Sequence, residues 1–194
     1  MIAICVTLPE QGGYAMDRSF QTYMAGWRGE SATAAMKALS GIGSTAGIIA
    51  ITLAVAAIVG WRMGWRHAAI LIGAMIAGYG LNAVLKAGIG RVRPSDAWGI
   101  AVDGASFPSA NAMLGMILFG LLAMFAVARS GMRGWLKGTM AAICFLMILL
   151  LGLSRLYFHV HYLSDILAGY ASGLAIVAGA MLLPFKAKEI GKGA

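Results

Sequence analysis

Charge is what this sequence has least of. Only 11% of its 194 residues are Asp, Glu, Lys or Arg, where soluble domains carry about a quarter. The two cysteines, Cys5 and Cys144, have neither metal-ligand nor redox spacing, so no thiolate metal site or dithiol centre is expected. No internal repeat and no low-complexity linker divides the chain. What it has in excess is apolar surface: 60% of residues are hydrophobic and the mean hydropathy is +0.83. That excess needs a non-aqueous solvent, and the length fits one domain. The net charge of +8 would point to nucleic acid in a soluble protein. Here the cations stand in short clusters between long apolar runs, which suits orientation in a lipid bilayer and excludes a nucleic-acid partner.

Crossing the hydrocarbon core takes about 20 mostly apolar residues as a helix. Five stretches qualify, at about 43–61, 67–89, 108–128, 135–158 and 162–185; the fourth contains the unbroken run MAAICFLMILLLGL. The expected fold is all-α, a polytopic membrane bundle of five spanning helices in a single domain over 1–194, with its core at 41–185 and a cytoplasmic tail at 186–194. Residues 1–40 differ. The opening MIAICVTLP is too short to span and lacks the cationic start of a secretion signal. Between Met16 and Leu39, Asp17, Arg18, Arg28, Glu30 and Lys37 alternate with Phe20, Tyr23, Met24 and Trp27. That pattern serves one or two amphipathic helices at the membrane interface, or ordinary helices packed on the bundle.

Orientation follows from the cations. Arg62 and Arg66, then Arg129, Arg133 and Lys137, then Lys186, Lys188 and Lys192 fall on one side if all five stretches span. That side should be cytoplasmic, with Trp61, Trp65 and Trp135 as aromatic anchors. Residues 91–107 and the turn at 159–161 then face outward.

Three clusters on that outward side put ionisable groups where a membrane helix rarely has them. In KAGIGRVRP, Lys86 sits in the last turns of a helix and Arg93 just past its end, with Gly88 and Gly90 expected to let backbone approach a ligand. Two such cations suit a phosphoryl group, and equally suit interfacial snorkelling; Arg91 reads as a surface or headgroup charge. In SFPSAN, Pro108 fits a first helical turn whose free backbone donors, with the Ser109 hydroxyl, make an anion site or simply a good helix start. In SRLYFHVHYLSD, His161 and Asp165 are four apart and share a helix face. A carboxylate on one ring nitrogen fixes the tautomer and leaves the other free to attack; a buried structural pair is the plainer alternative. Arg155 adds a second guanidinium fork. His159, two residues from His161, should point elsewhere.

These segments resemble, in order, the three signatures of the type 2 phosphatidic acid phosphatases, which share their site with vanadium haloperoxidases. Lys86 to Pro94 is similar to K-x6-R-P, Pro108-Ser109 to the start of P-S-G-H, and Ser154 to Asp165 to S-R-x5-H-x3-D. The likeness covers roughly residues 41–183. It implies a multi-pass cell-membrane enzyme, its site on the extracytoplasmic face, that dephosphorylates membrane lipid phosphates without metal or other cofactor. His161 would form a phosphohistidine, with Asp165 as its orienting partner. Lys86, Arg93, Arg155, Ser109 and the backbone at Ala110 would hold the phosphoryl oxygens. Nothing in the sequence bears on oligomeric state.

Two departures from the family pattern matter. Family members generally have six spanning helices, so the first is expected to be absent or truncated here. Ala110-Asn111 also replaces the family's G-H. Asn111 stands where a histidine protonates the leaving group, a contribution of about 10²–10⁴-fold that an amide cannot make. An alkoxide, whose conjugate acid has a pKa near that of water, about 15.7, leaves poorly without that proton. A lipid monophosphate leaving a pyrophosphate, with a second pKa of about 6, is far less basic. The expected substrate is therefore a lipid pyrophosphate such as a polyprenyl carrier, with phosphatidic acid or phosphatidylglycerol phosphate as the monoester alternatives. A catalytically impaired lipid-phosphate binder or translocator is the competing reading.

Overall fold

Seven helices and no strand make up the described residues, 13–183, of a computed structural model of the chain. Two short helices, α1 (Ala15–Ala25) and α2 (Glu30–Ile42), precede five long ones. These are α3 (Thr45–Met63), α4 (Trp65–Ile89), α5 (Ala110–Ala128), α6 (Gly134–Tyr157) and α7 (Leu163–Met181). All five are long and apolar enough to cross a membrane, the number the apolar runs predicted. The opening stretch too short to span, and the cationic tail at 186–194, lie outside the described residues. So does the predicted end of the last span at 185. Helix α7 stops at Met181 because Leu183 precedes Pro184, whose ring disfavours helical backbone at the residue before it. At the other boundary, Ser44 starts α3 by accepting a hydrogen bond from the Gly47 amide, 3.1 Å.

The long helices are apolar around most of their circumference, not along one stripe. Ile49, Leu53 and Ile58 of α3, Ile76, Tyr79 and Val84 of α4, and Phe145 and Leu146 of α6 all stand exposed. In water that surface would be a large apolar patch; in a bilayer it is the lipid-facing wall, with backbone polar groups satisfied inside each helix. The protein is a multi-pass membrane protein. At its centre runs α5, packed against α4, α6 and α7, with Met113, Ile117, Leu118 and Leu121 fully buried. Helices α5 and α7 touch through their backbones. A Cβ at Gly169 would stand 2.7 Å from the Ser109 carbonyl oxygen, and one at Gly173 2.6 Å from that of Met113. Such close approach is how helices associate where lipid removes the hydrophobic drive between them.

Alternating direction along the chain brings the C-terminal ends of α4 and α6 to the same end of the bundle as the N-terminal ends of α5 and α7. The opposite end carries exposed Trp61 and Trp65, each beneath the guanidinium of the next residue, Arg62 and Arg66 respectively. The N-terminal segment folds onto the bundle. Phe20 and Met24 of α1 pack with Leu156 and Ile166, and α2 runs against α6. Over the motif-bearing end lies the 90–109 loop, pinned by Trp98, whose backbone N–H donates to the Phe158 carbonyl (3.1 Å) and whose indole N–H donates to that of Tyr157 (2.8 Å).

Candidate active site

Where α4 ends, Gly90 adopts a left-handed conformation (φ +64°) and its N–H caps the Lys86 carbonyl. A side chain there would be strained, which explains the glycine. A Cβ at either Gly88 or Gly90 would meet nothing within 4 Å. The space beside both glycines is open, and the sharp turn at Gly90 sends Arg91 inward.

Arg93 crosses to the turn between α6 and α7. Its Nε donates to the Gly104 carbonyl (2.9 Å), Nη2 to those of Asp103 (3.1 Å) and Ala105 (3.2 Å), and Nη1 to that of Val160 (2.7 Å). The same Nη1 lies 3.2 Å from His161 Nε2. On the other side of the ring, His161 Nδ1 is 3.5 Å from Asp165 Oδ2, longer than an ordinary hydrogen bond, and has no other partner. An apo site often holds such bonds long. The carboxylate beside Nδ1 and the guanidinium beside Nε2 together assign the proton to Nδ1 and a lone pair to Nε2. Burial pushes the His161 pKa down to about 4; Asp165 opposes that, while the positive fields of Arg93 and Lys86 add to it. The ring is neutral at pH 7.

Asp165 is fully buried in the first turn of α7. Its Oδ2 accepts from the Tyr162 backbone N–H (2.9 Å) and from the Ser106 hydroxyl, and its Oδ1 from Arg91 Nη1 (2.5 Å). Arg91 is therefore no headgroup charge. It is 6% exposed, lies over the Tyr162 ring at 4.1 Å, and pairs with Asp165 on one side and Asp17 on the other. Arg91 and Ser106 are the site residues that spacing failed to single out. Both sit inside segments already notable, and a cation beside the Gly90 turn was the available signal for Arg91.

Ser109 heads α5 just after a cis Phe107–Pro108 bond, and the helix begins at half-buried Ala110. The Ser109 N–H donates to the Asp165 carbonyl (3.1 Å), while its buried hydroxyl has no protein partner. Arg155 is buried and donates from Nη2 to the Ser40 carbonyl (3.0 Å), leaving Nε unpartnered. The Asn111 amide nitrogen is likewise buried and unpartnered. It stands against the α2–α3 junction, 2.5 Å from where a Cβ on Gly43 would be. Lys86 is half-buried and makes no hydrogen bond or ion pair with any described residue, although its charge reaches His161. Arg93, His161, Asp165 and Ser109 thus form a chain of direct contacts. Arg155 is bonded to the end of α2, Asn111 stands beside Gly43, and neither makes a hydrogen bond to His161. His159 points elsewhere, as its spacing predicted: its Nδ1 is 2.6 Å from Asp96 Oδ2, and its backbone is left-handed (φ +51°). A shallow cavity lined by residues 129–133 and Leu136 lies at the far end of α5, about 28 Å of helix away, and includes none of these residues.

The sequence pattern of the PAP2 superfamily matches residues 67–189, the stretch that carries all three clusters. Phosphatidylglycerophosphatase B of Bacillus subtilis (strain 168) is 34% identical over 96 residues, which is 50% of this chain and 47% of that protein. The chain thus matches about half the length of this curated relative. The fold is similar to the crystal structure of the transmembrane PAP2 type phosphatidylglycerolphosphate phosphatase from Bacillus subtilis, with TM-score 0.78 and 24% identity. That similarity covers 85% of this chain and 82% of the other. Aquifex aeolicus LpxE is also similar, with TM-score 0.68 and 18% identity over 90% of this chain and 99% of the other.

Proposed function

The chain belongs to the PAP2 superfamily, and from that premise we propose that it is a lipid phosphatase acting through a phosphohistidine. One observation carries the reading: a neutral, carboxylate-backed imidazole presents its Nε2 to the Arg93 guanidinium at 3.2 Å. A phosphoryl group beside Arg93 would meet that lone pair directly. Attack forms the N–P bond as the P–O bond to the lipid breaks, its electron pair leaving with the lipid oxygen. Water then cleaves N–P, releasing phosphate and restoring the imidazole. Asp165 steadies the imidazolium character that develops at Nδ1. Phosphoryl transfer asks mainly for positioning and for positive charge around three equatorial oxygens. Half-buried Lys86, the unpartnered Arg155 Nε and Ser109 hydroxyl, and the backbone N–H at Ala110 would supply that charge and those hydrogen bonds.

Asn111 sets the leaving group. Its amide cannot deliver a proton, so a lipid pyrophosphate, with its weakly basic monophosphate leaving group, is the favoured substrate class. The similarity to a protein named phosphatidylglycerophosphatase B supports a second reading, a phosphate monoester such as phosphatidylglycerol phosphate. A lipid-phosphate binder with impaired turnover is the alternative that Asn111 itself favours. Arg62, Arg66, Arg129, Arg133 and Lys137 gather at the other end of the bundle, so the site faces away from the cytoplasm. The test is phosphate release from a lipid pyrophosphate and a lipid monoester in the presence of a chelator. Release that His161→Ala abolishes, faster on the pyrophosphate, is expected. Faster turnover of the monoester rejects the pyrophosphate preference, and lipid binding without release from either rejects the enzyme.

A further inference from the structure

Helices α1 and α7 begin in the same way, although 147 residues separate Asp17 from Ser164. Each opens on a Tyr-x-x-Asp: Tyr14 to Asp17, and Tyr162 to Asp165. In each, the aspartate accepts a hydrogen bond from the backbone N–H of its own tyrosine at 2.9 Å. A carboxylate in this place caps a helix start, and by itself it would be ordinary. What is not ordinary is that Arg91 joins the two carboxylates. Nη2 reaches Asp17 Oδ2 at 3.2 Å, and Nη1 reaches Asp165 Oδ1 at 2.5 Å. Ser164 closes the ring: its N–H and hydroxyl both donate to Asp17 at 2.8 Å, and its hydroxyl accepts from Arg91 Nη1 at 2.8 Å. Asp17, Arg91, Ser164 and Asp165 are all buried. Gly13, just ahead of α1, is close enough to Tyr162 that a Cβ would stand 2.8 Å from its ring.

We propose that Asp17 and Arg91 are positioning residues for the His161–Asp165 pair, so that α1 completes the active site. The two oxygens of Asp165 face different partners. Arg91 holds Oδ1, which turns Oδ2 toward Ser106, the Tyr162 amide and His161. Arg91 alone, with its long flexible stem, would have several ways to meet one carboxylate. Asp17 fixes its second nitrogen and so leaves one. A guanidinium between two carboxylates also keeps either from being buried without a counter-charge. The orientation of Asp165 then fixes the His161 tautomer, and through it the lone pair on Nε2. This rests on the phosphatase reading only for its kinetic arm.

The test uses the full chain in detergent with Asp17→Asn, Arg91→Gln and Ser164→Ala. On whichever lipid phosphate the parent turns over, Asp17→Asn and Arg91→Gln should lower kcat by roughly 10- to 100-fold, the scale of a small misplacement of a reacting group. KM should hold, because the lost interaction acts on the nucleophile and not on substrate. In an Asp165→Asn background, Asp17→Asn should cost nothing further, since its effect runs through that carboxylate. Independently of turnover, the chain has three histidines, so 15N-histidine spectra can isolate His161 by comparison with His161→Gln. The parent should show one tautomer with the proton on Nδ1, and Asp17→Asn a mixture. Ser164→Ala keeps every charge and removes only hydroxyl bonds, so it should shift both readouts the same way to a smaller degree if Asp17→Asn does not fold. An unchanged tautomer with unchanged kcat, or the same fold-loss with and without the Asp165 carboxylate, overturns the proposal. A parent inactive on every lipid phosphate, yet with a tautomer that responds to Asp17→Asn, removes the phosphatase reading and leaves the positioning role standing.

Discussion

Acidification separates this imidazole from an ordinary one. Burial holds the His161 pKa at about 4, and the fields of Arg93 and Lys86 reinforce it against Asp165. The sign follows directly. A base with a depressed pKa stays neutral, and so nucleophilic, down to the depressed value, and loses activity only as pH falls through it. At pH 5 an unperturbed histidine with a pKa of about 6.5 would be only about 3% neutral, whereas one at about 4 is about 90% neutral, a roughly 30-fold difference in reactive fraction. The assay is kcat/KM between pH 4 and 8 on two substrates, since that ratio reports the free enzyme and the free lipid. A lipid monophosphate titrates near pH 6 on its own account. An inflection that follows the lipid belongs to the lipid, and one common to both substrates belongs to the protein. The common acid limb should fall near pH 4. A common limb near 6.5 would refute the burial argument, and with it the assignment of His161 as a neutral nucleophile poised beside cations.

Other perturbations probe separate parts of the same arrangement. Asn111→His, which supplies a proton donor at the position proposed to meet the leaving group, should raise monoester turnover by about 10²-fold or more while changing pyrophosphate turnover much less, measured as phosphate release. Lys86→Met should leave the thermal midpoint in detergent unchanged, because Lys86 bonds no described residue, yet weaken competitive inhibition by inorganic phosphate. Gly169→Ala would place a methyl 2.7 Å from the Ser109 carbonyl and 2.9 Å from Ala112 Cβ. Parting α5 from α7 should destabilise the bundle by about 1–3 kcal/mol, read as a lower midpoint in thermal denaturation.

The five spans were legible because lipid leaves a helix few choices. Each must be about 20 apolar residues long, and its ends are marked by Arg, Lys and Trp. The convergence of Arg93, His161 and Asp165 was legible for a related reason: alternating spans force the ends of α4 and α6 to meet the starts of α5 and α7. Burial of individual charges was not. Arg91 stands two residues before Arg93 and looks like its neighbour, but Gly90 turns it into the bundle while Arg93 crosses the surface loop. Asp17 looked like one of several charges on an amphipathic stretch. Its partners are Arg91 and Ser164, and no local pattern reports contacts across 74 and 147 residues. The repeated Tyr-x-x-Asp was the one trace of it in the sequence.

The cations at this end of the bundle differ in how far the protein already engages them, and that ordering argues for their roles. Arg91 is held between two carboxylates through Nη1 and Nη2, with only its buried Nε unpartnered. Arg93 gives its donors to four backbone carbonyls and keeps one weak contact, the 3.2 Å approach to His161 Nε2. In the proposed mechanism that contact passes to a phosphoryl oxygen as Nε2 uses its lone pair. Arg155 retains a buried, unpartnered Nε, Ser109 a buried hydroxyl, and Lys86 its whole ammonium. Buried polar groups without partners are rare in folded proteins because each costs free energy. The free Ser109 hydroxyl, on the residue bonded to the Asp165 backbone, and the Lys86 charge that reaches His161 are groups an anion could use and still leave. A structural His–Asp pair would need none of them.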